Sequence, residues 1–175
     1  MKEKETQGYF LSWDQSYPAN LELIGGKAYN LIRLHRFGFR VPAGGVLTTW
    51  AYEAFLDHNG LHDLIRQVSS EDCSPENLEL LKINIMCGSF PPEIAAAVSN
   101  GLSGAGIADA ALAVRSSAAA EDSGRASFAG MHDTFLNVRG LDAILKAVKA
   151  CYASLWSPQA IVYRRKFEIK DKDVQ

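Results

Sequence analysis

The sequence predicts an α+β fold in which several helices pack around a small mixed sheet. Short runs rich in aromatic and β-branched residues, bounded by glycine or proline, are typical of strands. Longer segments between these runs carry apolar residues at helical spacing. Apolar residues make up 47% of the 175 residues, which is enough to bury a core without disulfides.

The N-terminal part predicts two short strands, at residues 9–13 and 45–49, on either side of a helix. The helix is predicted over residues 27–36, where apolar residues recur at helical spacing. Gly25-Gly26 precedes its first turn, and Gly38 predicts its end.

The middle of the chain predicts further helices. Thr49 can cap a helix that runs to about His58. Proline at the first helical position begins two more, at Ser74-Pro75-Glu76 and at Pro91-Pro92-Glu93. Asn100-Gly101 predicts the end of the last of these and the start of a loop.

Two more strands are predicted on either side of a long polar segment. Residues 111–114 are apolar throughout, as in a strand buried on both faces. Residues 134–138 alternate, with Thr134, Leu136 and Val138 on one face. The connection between the strands is long, and long irregular loops inside compact domains tend to be functional. A simple linker between two strands is the alternative.

The C-terminal third predicts two helices. Apolar residues over 141–156 form one stripe, and Lys146 and Lys149 face away from it. Ser157-Pro158 ends this helix and starts another. The basic run Arg164–Lys166 is interpreted as a solvated helix face.

Charge and cysteine content narrow the function classes. The formal net charge of −2 predicts no overall attraction to nucleic acid or to an anionic membrane. No run approaches the roughly 18 apolar residues of a membrane span. Cys73, Cys87 and Cys151 are scattered and odd in number, which argues against a disulfide framework and a zinc site. A reducing cytoplasm is therefore expected.

Gly25-Gly26-Lys27 is the first candidate for ligand binding. A helix start carries unpaired N–H groups and a partial positive charge, so a lysine there is unfavourable unless an anion shares the site. Glycines, amides and an ammonium group together can hold phosphate. The alternative is a glycine turn followed by an exposed lysine.

Arg115 is the second candidate, because it follows a predicted strand immediately. Residues just past a strand end are well placed to reach a ligand, and a guanidinium can grip phosphate with two hydrogen bonds. The alternative is a structural salt bridge with Glu121 or Asp122.

The loop SFAGMHDT is the third candidate. Ala129, Gly130 and Met131 can bring backbone N–H groups close to an anion, since Gly130 has no side chain to block the approach. His132 could shuttle a proton but is more typical of a surface residue. The spacing of the loop acids, including Asp133, predicts no metal site.

Three blocks of the chain resemble a known family. They are LIGGKAYNLIRLHRFGFRVPAGGVLTTWAYEAFL, AVRSSAAAEDSGRASFAGMHDTFLNVRG and AVKACYASLWSPQAIVYRR, and they cover nearly all of residues 9–168. In order and spacing they resemble the N-terminal nucleotide-binding domain of phosphoenolpyruvate synthases and pyruvate phosphate dikinases. Rifampicin phosphotransferases and glucan water dikinases share this type of domain.

The resemblance implies an ATP-grasp-like N-terminal lobe, with residues 1–175 as the first lobe of the nucleotide-binding domain. It implies that Lys27 and Arg115 contact the phosphates of ATP and that a glycine-containing loop covers them. The loop contacts implied by the resemblance are Ser127, Ala129, Gly130, Met131 and Thr134. It also implies Mg²⁺ on the phosphates, with metal ligands outside this chain.

The resemblance further implies a phosphotransferase that works through a phosphohistidine on a separate domain and then phosphorylates pyruvate. The second nucleotide lobe and the histidine domain would follow residue 175, so this chain alone is expected to be inactive. No catalytic residue is assigned to it. Two alternatives stay open: a rifampicin phosphotransferase-type enzyme, and a non-catalytic module that binds nucleotide or a partner.

Overall fold

Helices make up most of the described part of the chain. The computed structural model describes residues 8–15, 20–70, 74–117 and 133–166. Its helices are α1 (Leu21–Arg36), α2 (Thr49–His58), α3 (His62–Val68), α4 (Pro75–Cys87), α5 (Pro92–Gly104), α6 (Leu141–Ser154) and α7 (Pro158–Lys166). Its strands are β1 (Phe10–Ser12), β2 (Gly45–Leu47), β3 (Leu112–Arg115) and β4 (Thr134–Val138). The predicted α+β class is confirmed.

The described strands pair as two antiparallel sheets, β1–β2 and β3–β4, where one small mixed sheet was expected. Helix α5 packs against the first sheet and α6 against the second, and the two helices contact each other. The sheets are therefore joined through helices, because each is a pair of short strands that needs a helix to cover its apolar side.

The β3–β4 pair corrects two predictions about buried faces. Leu112 and Val114 are half-buried while the residues after each of them are exposed, so β3 is buried on one face only. In β4, Asn137 has a φ of 58° and the register slips by one residue. This bulge places Val138 with Phe135 on the covered side, whereas Leu136 is 69% exposed.

Helix α5 also runs past its predicted end. Asn100-Gly101 was expected to stop the helix, yet the helix continues to Gly104. Gly101 lies against the ring of Phe10, where a Cβ would come within 2.1 Å of a ring carbon. The glycine therefore allows close packing of α5 on β1 and does not end the helix.

Two helix starts are confirmed with their serine caps, whereas Thr49 is the first residue of α2 and not its cap. Ser74 caps α4, since its hydroxyl accepts a hydrogen bond from the Asn77 amide at 3.2 Å. Ser157 does the same for α7, with the Ala160 amide as donor at 3.1 Å. Both sites follow the predicted pattern of a serine before a proline at the first helical position.

The largest hydrophobic cluster lies between α2, α4 and the end of α6. Phe55 is fully buried there, with its ring centroid 4.9 Å from that of Phe90 and 5.6 Å from that of Tyr152. Trp156 donates from Nε1 to the Tyr52 hydroxyl at 2.9 Å. Burial raises the pKa of Tyr152 well above its ordinary value, so its hydroxyl stays neutral.

Two basic side chains expected to face solvent are instead used inside the fold. Lys149 donates from Nζ to the carbonyl oxygens of Met86 (2.8 Å) and Gly88 (2.9 Å), at the C-terminal end of α4. Arg164 is buried, donates to the Leu155 carbonyl at 2.5 Å and lies over the Trp156 ring. Cations are favourable at helix C-termini, where carbonyl groups lack partners.

A pair of tyrosine variants tests the buried hydroxyls. We expect Tyr52→Phe to lower the free energy of unfolding by about 1–3 kcal/mol, because it leaves the buried Trp156 Nε1–H group without its acceptor. Tyr152→Phe should leave stability unchanged or raise it, since its buried hydroxyl has no hydrogen-bonding partner among the described residues. Urea denaturation measures both, and equal losses would contradict this assignment.

A pair of lysine variants tests the contact between α4 and α6. We expect Lys149→Ala to destabilise the protein by about 1–2 kcal/mol, because two carbonyl groups lose a charged donor. Lys146→Ala, on the exposed side of the same helix, should change stability by less than about 0.5 kcal/mol. Thermal denaturation measures both variants. Equal melting temperatures would contradict the stabilising contact of Lys149 with the end of α4.

Candidate functional site

Helix α1 is broken at the first candidate motif. It begins after Asn20, whose side chain accepts a hydrogen bond from the Glu22 amide at 2.9 Å. At Gly25 the backbone leaves the helical region, with φ of 74° and ψ of 168°, and the helix resumes at Gly26. The predicted start after the glycine pair therefore corresponds to a second helical segment. Lys27 lies in its first turn and is half-buried.

The hydroxyl of Ser117 lies at this break. Ser117 Oγ accepts from the Ala28 amide at 3.0 Å and donates to the Ile24 carbonyl at 3.0 Å. A Cβ on Gly25 would lie 1.5 Å from the Ser117 carbonyl oxygen. The glycine-rich block and the VRSS block, separated by about 90 residues, are thus in direct contact.

Arg115 and Thr134 face each other across the second sheet. Arg115 is the last residue of β3 and pairs with Thr134, the first residue of β4. Both side chains are exposed. Among the described residues, no ion pair involves Arg115, and the alternative partners Glu121 and Asp122 lie outside this part of the chain.

Chain geometry bounds the separation of Lys27 and Arg115. Arg115 is two residues from Ser117, a span of at most about 7 Å between Cα atoms. Ser117 contacts the amide next to Lys27. The Cα atoms of Lys27 and Arg115 are therefore at most about 15 Å apart, and both side chains are long. The fold thus brings together three candidates that the sequence treated separately: Lys27, Arg115 and Thr134.

The other loop candidates lie outside the described residues. These are Ser127, Ala129, Gly130 and Met131, and the same holds for His132. The strands on either side of this segment, β3 and β4, pair with each other, and the pairing brings Arg115 next to Thr134. Its proposed contacts with an anion stay a prediction.

Ser117 was missed by reasoning from the sequence. A helix normally takes its N-terminal cap from the residue just before it, and that search finds only Gly25 here. The cap comes from a distant strand end, so no local pattern indicates it. A serine two residues after an arginine at a strand end was the one available signal, and it is weak.

A groove of about 520 Å³ lies apart from this contact, between α4 and α6. Its lining includes Lys82, Asp133, Ser154 and Ser157, but none of Lys27, Arg115 or Thr134. The hydroxyls of Ser154 and Ser157 are already engaged with the backbone. The groove therefore offers few polar groups that could converge on a ligand.

The described ranges hold neither a cluster of metal-binding side chains nor a helix that could span a membrane. Residues 8–15, 20–70, 74–117 and 133–166 contain no group of three or more His, Cys, Asp or Glu side chains that could hold a metal ion. No described helix is long and apolar enough to cross a membrane.

A lysine, an arginine and a helix N-terminus gathered in one place define a candidate anion-binding domain of α+β class. Comparison with known proteins gives the family. The chain belongs to the pyruvate phosphate dikinase AMP/ATP-binding domain family, whose model matches residues 21–175. The resemblance found in the sequence is confirmed.

Three relatives illustrate the range of the family. The chain is 37% identical to a phosphoenolpyruvate synthase of Aquifex aeolicus over 95% of its own length and 21% of that protein. It is 38% identical to one of Neisseria meningitidis serogroup B, over 89% of the chain and 21% of that protein. It is 40% identical to a rifampicin phosphotransferase of Bacillus subtilis, over 82% of the chain and 17% of that protein. The chain thus spans about a fifth of these relatives.

The contact at Gly25 can be tested by stability. We expect Gly25→Ala to cost about 3 kcal/mol or more, because the new Cβ meets the Ser117 backbone and the positive φ disfavours any side chain. Gly104→Ala is the matched control, since a Cβ there meets nothing within 4 Å. Alanine in the last turn of α5 should be neutral or stabilise by up to about 1 kcal/mol. Similar melting temperatures for the two variants would contradict the contact.

Proposed function

We propose that residues 1–175 form the first lobe of an ATP-grasp-like nucleotide-binding domain, in the N-terminal part of a phosphoenolpyruvate synthase/pyruvate phosphate dikinase-type phosphotransferase. The observation that carries the proposal is the contact of Ser117 with both sides of the break at Gly25. Through it, the lysine of one family block and the arginine of another lie at one edge of the lobe. Family membership supports ATP as the ligand.

The charges at this edge suit a polyphosphate. Lys27 and Arg115 supply two cations, and the second segment of α1 adds the partial positive charge of a helix N-terminus. Grouped positive charges are stabilised when an anion shares the site. The small side chains around Gly130 would let backbone amides approach the phosphates.

Magnesium is part of the proposal, with its protein ligands outside this lobe. Mg²⁺ prefers a few carboxylates together with substrate phosphates. The lobe would bind the ion through the phosphates of ATP, and the second lobe would supply its carboxylates.

The chemistry proposed for the longer protein moves phosphate from ATP to a histidine on another domain and then to pyruvate. Such transfers depend mainly on positioning and on neutralising the charge of the transferred group. Lys27, Arg115 and the amides of the Ser127–Thr134 loop would supply both. We expect the isolated lobe to be inactive, because the second lobe and the histidine domain are needed.

A rifampicin phosphotransferase is the second candidate, because relatives of that name match the chain at comparable identity. The nucleotide lobe does not distinguish this candidate from a phosphoenolpyruvate synthase, since the phosphate acceptor would bind to another domain. The third candidate function is that of a non-catalytic module that binds nucleotide or a partner. We also propose a cytoplasmic location, which the odd number and wide spacing of Cys73, Cys87 and Cys151 support.

Titration of the chain with ATP, with and without Mg²⁺, tests the site by NMR. We expect weak binding, with amide shifts centred on Lys27, Arg115 and residues 127–134. In the protein that carries both lobes, Lys27→Ala and Arg115→Ala should each lower kcat/KM by at least about 30-fold, or about 2 kcal/mol, the effect of removing one charge-stabilising donor. Lys146→Ala, on the exposed side of α6, is the control. Shifts that centre elsewhere, or near-normal turnover of either variant, would show the assignment to be wrong.

A further inference from the structure

We propose that Ser117 is a positioning residue for the nucleotide: it caps the second segment of α1 from a distance and so holds Lys27 in a fixed relation to Arg115. The inference rests on the proposed function and adds to it a residue that touches neither phosphate nor metal. It comes from the two hydrogen bonds of one hydroxyl at the break in α1.

Ser117 supplies the side chain that Gly25 lacks. In an ordinary helix, the residue before the first turn accepts a hydrogen bond from the amide two or three residues further on. Gly25 occupies that place and has no side chain, and the amide three residues on belongs to Ala28. Ser117 Oγ accepts from that amide at 3.0 Å. No other residue type can replace Gly25 without displacing Ser117, because a Cβ would lie 2.7 Å from the serine hydroxyl oxygen.

The same hydroxyl also fixes the other side of the break. It donates its proton to the Ile24 carbonyl at 3.0 Å. Since the hydroxyl has one proton to donate and that proton is used, its orientation is determined by both partners. The two segments of α1 are therefore held at one angle by a single group from the β3 side of the fold.

This arrangement links the two cations. Lys27 directly precedes the residue whose amide is capped, and Arg115, the last residue of β3, precedes Ser117 by two residues. A shift of the VRSS block along the helix break would move one cation relative to the other. Catalytic and binding groups lose much of their effect when they are misplaced by about 1 Å, so the cap controls affinity through Lys27 and Arg115.

The test compares the ATP dissociation constant of the 175-residue chain, from NMR titration, with that of five variants. Ser117→Ala should weaken ATP binding by about three- to tenfold, the effect of one lost hydrogen bond. Ser117→Thr keeps the hydroxyl and should recover at least half of the loss. Ser103→Ala makes the same chemical change on the exposed side of α5 and should leave binding unchanged. The double variant Ser117→Ala/Lys27→Ala should bind ATP as Lys27→Ala does, within about twofold, because Ser117 acts through Lys27.

The outcomes separate this inference from the proposed function. If wild-type shifts centre on Lys27 and Arg115 but Ser117→Ala binds ATP normally, the inference is wrong and the proposed function stands. If the losses of Ser117→Ala and Lys27→Ala multiply in the double variant, Ser117 has only a structural role. If the wild-type chain shows no shifts at these residues, the proposed function and the inference are both overturned. Hydrogen exchange of the Ala28 amide, faster in Ser117→Ala, verifies that the cap was removed.

Discussion

One contact organises the candidate site: the hydroxyl of Ser117 bonds to the backbone on both sides of the break in helix α1. It requires a residue without a side chain at Gly25, a backbone with positive φ, and a strand end that reaches the gap. Gly25 meets the first two requirements, and Ser117, about 90 residues further along the chain, meets the third. Because a hydroxyl can accept and donate at once, it satisfies the two backbone groups that the break would otherwise leave without partners. The positions of Lys27 and Arg115 follow from this contact.

The rest of the fold supports that edge through helix packing. Helices α5 and α6 each cover one small sheet and contact each other, so the sheet pairs are joined without being continuous. Cationic side chains stabilise contacts between helices. Lys149 of α6, for example, donates to two carbonyl groups at the end of α4. Such side chains combine an apolar stem with a charged end, so they can pass along a packed surface and still reach a row of carbonyl groups.

The chemistry proposed for this part of the protein is that of binding. Lys27 and Arg115 lie near the start of a helical segment at one edge of the fold. The chain spans about a fifth of the relatives it matches, and the proposal assigns the remaining groups of a phosphotransferase to other domains. In a site divided between two lobes, as proposed, closure of the lobes would also exclude water during phosphate transfer.

The sequence by itself determined the α+β class, most helix starts and the family, because proline, serine and glycine signals act locally and the three family blocks are specific. It also identified Lys27 and Arg115 as candidates. Only the tertiary structure decided how far α5 extends, which face Val138 occupies and where Lys149 and Arg164 point, because each depends on a partner distant in sequence. Gly101 illustrates the difference: local propensity predicts a stop, while contact with Phe10 gives the glycine another use. The role of Ser117 at the site also depends on a distant partner. Its hydroxyl caps a helix about 90 residues away, so no local pattern could reveal it.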